Sequence, residues 1–91
     1  MSWRVEYTRI FLRELAHLPT DVRQRAEKIA FSEDFATGPA ALGRIQKLQG
    51  YKDKYRIRIG DYRVGVEISY ADKLIVFRRI AHRREIYRVF P

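Results

Sequence analysis

Tyr55-Arg56-Ile57-Arg58-Ile59-Gly60-Asp61-Tyr62-Arg63-Val64-Gly65-Val66-Glu67-Ile68 is the stretch that decides how this chain folds. Apolar residues alternate with polar ones or glycine on both sides of Gly60-Asp61. That is the period of strands with one buried face, and a glycine-first pair makes a two-residue hairpin turn. With that turn, Ile59 pairs with Tyr62, Arg58 with Arg63, Ile57 with Val64 and Arg56 with Gly65. Tyr55, Ile57, Ile59, Tyr62, Val64, Val66 and Ile68 then share a face suited to packing on helices, while Arg56, Arg58 and Arg63 share the other. Arg58 opposite Arg63 is a like-charge pair that destabilises a sheet, and Gly65 beside Arg56 removes a side chain where a ligand can approach. A phosphate between the guanidinium groups makes sense of this arrangement; the plainer alternative has the arginines snorkelling or pairing with Glu67 and Glu85.

Upstream, Trp3, Val5 and Tyr7 alternate with Arg4 and Glu6, which predicts a strand over residues 2–7. Thr8 is placed to cap a helix carrying Phe11, Leu15 and Leu18, which Pro19 stops. Thr20, with Asp21 in the first turn, is expected to cap a second helix with Val22, Ala26 and Ile29 inward. This helical hairpin ends near Thr37-Gly38-Pro39, and residues 38–54 read as a connection with at most a short turn around 40–46. Downstream, the apolar run beginning at Leu74 predicts a central strand over residues 74–81. Residues 82–90 suit a short helix with Ile86, Val89 and Phe90 inward. The order β-α-α-β-β-β predicts an α+β fold: an antiparallel-rich four-stranded sheet with a helical hairpin on one face and a short C-terminal helix.

The chain has 91 residues and no cysteine, so one domain spanning 1–91 is expected, without a disulfide framework or a cysteine nucleophile. Two histidines, His17 and His82, cannot fill a metal site alone, so no metal or cofactor is expected. Leu74-Ile75-Val76-Phe77 falls far short of the ~20 apolar residues that span a bilayer. With no secretory pattern at the N-terminus, the reading is a cytoplasmic protein without membrane contact. The net charge of +8 is confined to residues 44–91, because basic and acidic residues balance over 1–43. Solubility requires no such clustering, and the arginine bias favours planar, bidentate phosphate binding, which points to a polyanion partner.

A second basic cluster, His82-Arg83-Arg84-Glu85-Ile86-Tyr87-Arg88, begins where the last strand ends. It can bring Arg83 and Tyr87 toward the arginine face, where a tyrosine stacks on a base or orients a hydroxyl; packing of that ring on the sheet is the alternative. Lys47, Lys52 and Lys54, with Arg84 and Arg88, fit contacts to a nucleic-acid backbone. There is no P-loop, nucleophile triad or carboxylate cluster with ligand spacing. Cations, a tyrosine and His82 suit cleavage of RNA by its own 2′-hydroxyl, since arginines stabilise charge on the phosphorane without supplying a nucleophile.

The β-α-α-β-β-β order, the Lys47-Leu48-Gln49-Gly50 lead into the hairpin and the ending Ile80-Ala81-His82-Arg83-Arg84-Glu85-Ile86-Tyr87 resemble the RelE branch of the RelE/ParE toxin superfamily over essentially the whole chain. The resemblance implies the toxin of a type II toxin–antitoxin pair, an endoribonuclease that cuts messenger RNA in the ribosomal A site without metal. It implies catalytic roles for Arg56, Arg58, Arg63, Arg83 and Tyr87. The implied partners are a cognate antitoxin, the ribosome and mRNA, with operator DNA bound only as the toxin–antitoxin complex. Well-known members carry lysines where Arg56 and Arg58 stand, and arginine essentially cannot act as a base. Tyr87 or His82 must then take the proton, or the reaction depends mainly on positioning the RNA in line. Two other readings stay open: a ParE-like DNA gyrase poison, and a non-catalytic basic RNA- or ribosome-binding module.

Overall fold

The hairpin forms as its period requires. Strands Lys54–Ile59 and Tyr62–Ser69 pair antiparallel with Ile59 opposite Tyr62, Arg58 opposite Arg63, Ile57 opposite Val64 and Arg56 opposite Gly65. Gly60 takes φ 57°, the left-handed conformation that the first position of such a turn demands. In this computed structural model, which describes residues 3–32 and 38–91, the elements are β1 (Arg4–Tyr7), α1 (Arg9–Ala16), α2 (Thr20–Ala30), a 3-10 turn (Pro39–Leu42), β2 (Ile45–Lys47), β3 (Lys54–Ile59), β4 (Tyr62–Ser69), β5 (Leu74–His82) and α3 (Ile86–Val89). Ser2 and Thr37, expected at the start of the first strand and the end of the helical hairpin, lie outside the described residues.

The sheet order is β1-β5-β4-β3-β2, with β1 parallel to β5 and every other pair antiparallel. The α+β class is as expected, but the sheet has five strands rather than four. The fifth, β2, lies inside the 38–54 segment that reads as a connection. Its three residues carry one apolar side chain, Ile45 opposite Ile57, too few to display alternation.

Phe11 and Leu15 of α1, Ala26 and Ala30 of α2, and Ile57, Ile59, Val64, Val66, Ile68, Ile75, Phe77 and Ile80 of the sheet form one core. Full burial of a Phe or Ile side chain contributes roughly 1.5–3 kcal/mol, so this layer between helices and sheet dominates stability. A bulge at Gly65/Val66 sets Arg79 opposite Gly65 and Phe77 opposite Val66. The extra residue lets Phe77 and Ile80, three positions apart, both face the helices.

Thr8 caps α1 as expected, its hydroxyl accepting from the Phe11 N–H at 3.0 Å and donating to the Arg78 carbonyl at 2.7 Å. Thr20 does not cap α2. It is the first helical residue, Pro19 occupies the cap position, and the Pro19 carbonyl accepts from the Arg23 N–H at 2.8 Å. Pro19 has a helix-compatible φ of −52° and leaves the helix through its ψ of 145°, and with no hydroxyl or amide on its ring it makes no side-chain cap hydrogen bond. On the opposite face of the sheet, Ile86 and Phe90 bury the short α3, and the Phe90 ring covers Gly65. Among the described residues, no helix is long and apolar enough to cross a membrane.

Candidate functional site

Arg56 and Arg58 project from β3 and Arg63 from β4, onto the sheet face away from α1 and α2, because they alternate with the buried Ile57, Ile59 and Val64. With Arg44, Ile45 and Gln46 at the β2 edge and Tyr87 of α3, they line a cleft of about 290 Å³. Among the described residues, no carboxylate forms an ion pair with Arg44, Arg56, Arg58 or Arg63. The pairing alternative fails: Glu67 is taken by Lys54 and Arg78, and Glu85 by Arg88. A concave, unneutralised guanidinium cluster is a receptor for an anion with several acceptor oxygens.

Arg56 is held from two sides, by Tyr87 and by Gln46. Its Nη1 donates to the Tyr87 hydroxyl at 2.7 Å, its Nη2 donates to Gln46 Oε1 at 3.4 Å, and its guanidinium carbon lies 5.3 Å from the Tyr87 ring centroid. Arg63 folds back on the turn, donating to the carbonyls of Gly60 and Tyr62, both at 2.9 Å. Desolvation lowers its pKa from the ordinary arginine value, and the charges of Arg58, Arg56 and Arg83 push the same way against a smaller opposing effect of Tyr87. The like charges around Arg63 favour an anion beside it. Arg83 stands at its margin, half exposed, with its N–H on the Asp61 carbonyl at 2.8 Å and its side chain 3.9 Å from the Asp61 carboxylate.

The other expected contacts are placed elsewhere. His82 pairs with Tyr62 across β4 and β5, on the helix side of the sheet. Its ring meets Tyr62 edge-on at 5.5 Å, and its Nδ1 accepts from the Arg84 N–H at 3.2 Å. The bulge fixes this register, and it keeps His82 out of the cleft. Lys54 is already engaged: its ammonium is shared by Glu67 and Asp53. Desolvation depresses its pKa, but the hydrogen bonds and charges of Glu67 and Asp53 outweigh that and raise it overall. Lys47, opposite Tyr55, stands on the helix side, and Lys52 is exposed in the β2–β3 loop. Arg84 and Arg88 are exposed beyond β5, Arg88 3.5 Å from Glu85. Gly65 is not an open approach for a ligand, since Phe90 already occupies the space.

Arg44 and Gln46 join the cleft without a visible sequence signal beyond the single apolar Ile45 between them. Among the described residues, no group of three or more His, Asp or Glu is arranged to hold a metal ion. Arginines carry no acceptor atom, so among the described residues that line the cleft the Tyr87 hydroxyl is the group that both accepts and donates a hydrogen bond through one atom.

The family model for the ParE toxin of type II toxin–antitoxin systems, parDE, matches residues 5–87. Toxin RelE3 of Methanocaldococcus jannaschii is 36% identical over 89 residues, covering 97% of this chain and 99% of its own length. Among solved structures, the RelB–RelE antitoxin–toxin complex from Methanococcus jannaschii aligns with a TM-score of 0.77 at 36% identity, covering 94% of this chain and 99% of that one. The archaeal RelE–RelB complex from Pyrococcus horikoshii aligns with a TM-score of 0.70 at 28% identity, covering 91% and 97%.

Proposed function

Because the chain belongs to the ParE toxin family, within the RelE/ParE superfamily of type II toxin–antitoxin toxins, we propose that its arginine cleft cleaves messenger RNA in the ribosomal A site. The observation that carries this reading is the cleft itself: Arg56, Arg58 and Arg63 without a carboxylate among the described residues, beside a tyrosine hydroxyl. The scissile phosphate sits among the guanidinium groups. The RNA 2′-oxygen attacks phosphorus, the bond to the 5′-oxygen breaks, and a 2′,3′-cyclic phosphate and a 5′-hydroxyl remain. The 2′-hydroxyl proton leaves through Tyr87 and its hydrogen-bonded surroundings, and a proton returns to the departing 5′-oxygen. Arg63 and Arg58 stabilise the developing phosphorane charge, and Arg83 at the margin binds the adjacent backbone. No step calls for a metal ion. The ribosome supplies the in-line geometry that a shallow cleft of this size cannot impose on a flexible strand.

The partner is a small antitoxin, as in the RelB-bound relatives. An acidic or amphipathic segment neutralises the cleft, and the complex, not the free toxin, binds operator DNA. The match to the ParE toxin model favours a second reading, gyrase poisoning. One experiment separates them. Purified protein is added to translating ribosomes and transcript 5′ ends are mapped: cuts inside translated codons, lost in Arg63→Ala and Tyr87→Phe and blocked by a 2′-deoxy nucleotide at the cut site, are expected. Intact mRNA with double-strand DNA breaks in cells would overturn the nuclease reading in favour of gyrase.

A further inference from the structure

Gly65 lies on the arginine face of β4, directly opposite Arg56 of β3. A Cβ placed there would collide with three carbons of the Phe90 ring, so the missing side chain is a notch that the ring fills. Phe90 is only 6% exposed and Ile86 only 2%, and the Phe90 N–H donates to the Ile86 carbonyl at 2.9 Å. A helix of four residues has no stability of its own; α3 stays folded because these two side chains bury its ends.

Tyr87 belongs to that same turn, yet it is 71% exposed, and among the described residues its side-chain hydrogen bond is the one from Arg56. Its position over Arg56 is therefore set by its neighbours in the chain. Phe90 in the notch beside Arg56 fixes one end of the turn, and Tyr87 lands on Arg56 three residues earlier. We propose that Phe90, seated on Gly65, is a positioning residue that places the Tyr87 hydroxyl against the scissile linkage. The kinetic part of this proposal rests on the reading of Tyr87 as the proton-handling group; the anchoring of α3 does not.

The test pairs amide exchange in the free protein with single-turnover cleavage on translating ribosomes, for Phe90→Ala, Phe90→Leu and Gly65→Ala. In Phe90→Ala, sheet amides should stay protected while the Arg88 and Phe90 amides lose protection. The cleavage rate should fall on the order of 10²-fold, the scale of a 1 Å misplacement, with ribosome binding retained. Phe90→Leu should recover part of both, and in a Tyr87→Phe background Phe90→Ala should cause no further loss. Protected α3 amides with an unchanged rate would overturn the proposal, as would an equal loss in the Tyr87→Phe background, which marks a merely structural role. Should Gly65→Ala fail to fold, the Phe90 variants decide, since they only remove atoms. If the wild type cuts no RNA, the proposed function falls on its own, and exchange still decides the anchor: protected α3 amides in Phe90→Ala refute it, exposed ones sustain it.

Discussion

Replacing Arg58 by glutamine should make the protein more stable and less active. Arg58 faces Arg63 directly across the hairpin, Arg56 and Arg83 add charge of the same sign around Arg63, and no described carboxylate pairs with the two opposed arginines. An opposed charged pair on a strand ladder is worth about 0.2–1 kcal/mol, unfavourable when the signs match. The more distant arginines contribute less, because charges beyond the Debye length of about 8 Å at physiological salt are largely screened. Glutamine keeps most of the stem and removes the charge, so the expected gain is about 0.5–1 kcal/mol. For a domain of this size that is a rise of roughly 2–8 °C in Tm, measured by circular dichroism at low salt. In 1 M NaCl, where the Debye length is about 3 Å, most of the difference should vanish. Arg58→Lys, which keeps the charge, should gain nothing. Added phosphate should raise the Tm of wild type more than that of Arg58→Gln, because a ligand bound only to the folded state stabilises it by mass action. An Arg58→Gln protein melting at or below wild type at low salt would refute the account of the cleft as a site of uncompensated charge.

Glu14 of α1 accepts from the Arg79 guanidinium at 2.9 and 3.1 Å and from the Ile80 N–H at 3.0 Å, so Glu14→Ala leaves a cation and a strand-edge donor without partners. A loss of about 2 kcal/mol is expected, seen as a lower urea midpoint at unchanged slope. Thr8→Ala removes both the α1 cap and the bond to Arg78, and should lower stability by about 1–2 kcal/mol in the same assay. Burial raises the pKa of Tyr7, whose hydroxyl donates to the Ala30 carbonyl, and Glu67 and Asp53 raise that of Lys54 over the opposing desolvation. In both, folding holds a proton that the unfolded chain gives up near 10.0 and 10.5, the ordinary values. Their stabilisation is complete below those values and disappears as pH rises through the higher folded-state pKa. Tyr7→Phe and Lys54→Met should therefore narrow the loss of Tm between about pH 9 and 11.

The hairpin and its register were readable because strand alternation and turn chemistry are local, and pairing follows from them by counting. The same count, carried to the end of the ladder, sets Lys54 opposite Glu67, so the pairing of Lys54 with a carboxylate was available in the sequence too. The β2 strand was not, since three residues with one apolar side chain carry no period, and with it Arg44 and Gln46 stayed hidden. Nor was the bulge near Gly65, which depends on how β5 meets β4 and decides that His82 faces the helices. Gly65 looked like a door for a ligand because sequence shows the missing side chain and not the distant ring that fills the space.

The place of His82 yields a last expectation about the chemistry. With arginines at positions 56 and 58, a proton acceptor has to come from a side chain with a lone pair; within the basic clusters Tyr87, His82 and Glu85 carry one, and Glu85 is held by Arg88. His82 lies across from Tyr62 on the far face of the sheet, and its Nδ1 is occupied by the Arg84 N–H at the turn into α3. To reach a phosphate held by Arg56 and Arg63 it would have to break that bond and cross the strand. That hydrogen bond ties His82 to the turn that leads to Arg83 and Tyr87. Asparagine can offer an oxygen to the same N–H, so His82→Asn should retain cleavage near the wild-type rate, whereas His82→Leu should lose activity together with amide protection at Arg84. Tyr87→Phe should lose activity with α3 still protected. A His82→Asn protein that folds with its α3 amides protected yet cuts nothing would return the histidine to the reaction and displace the tyrosine.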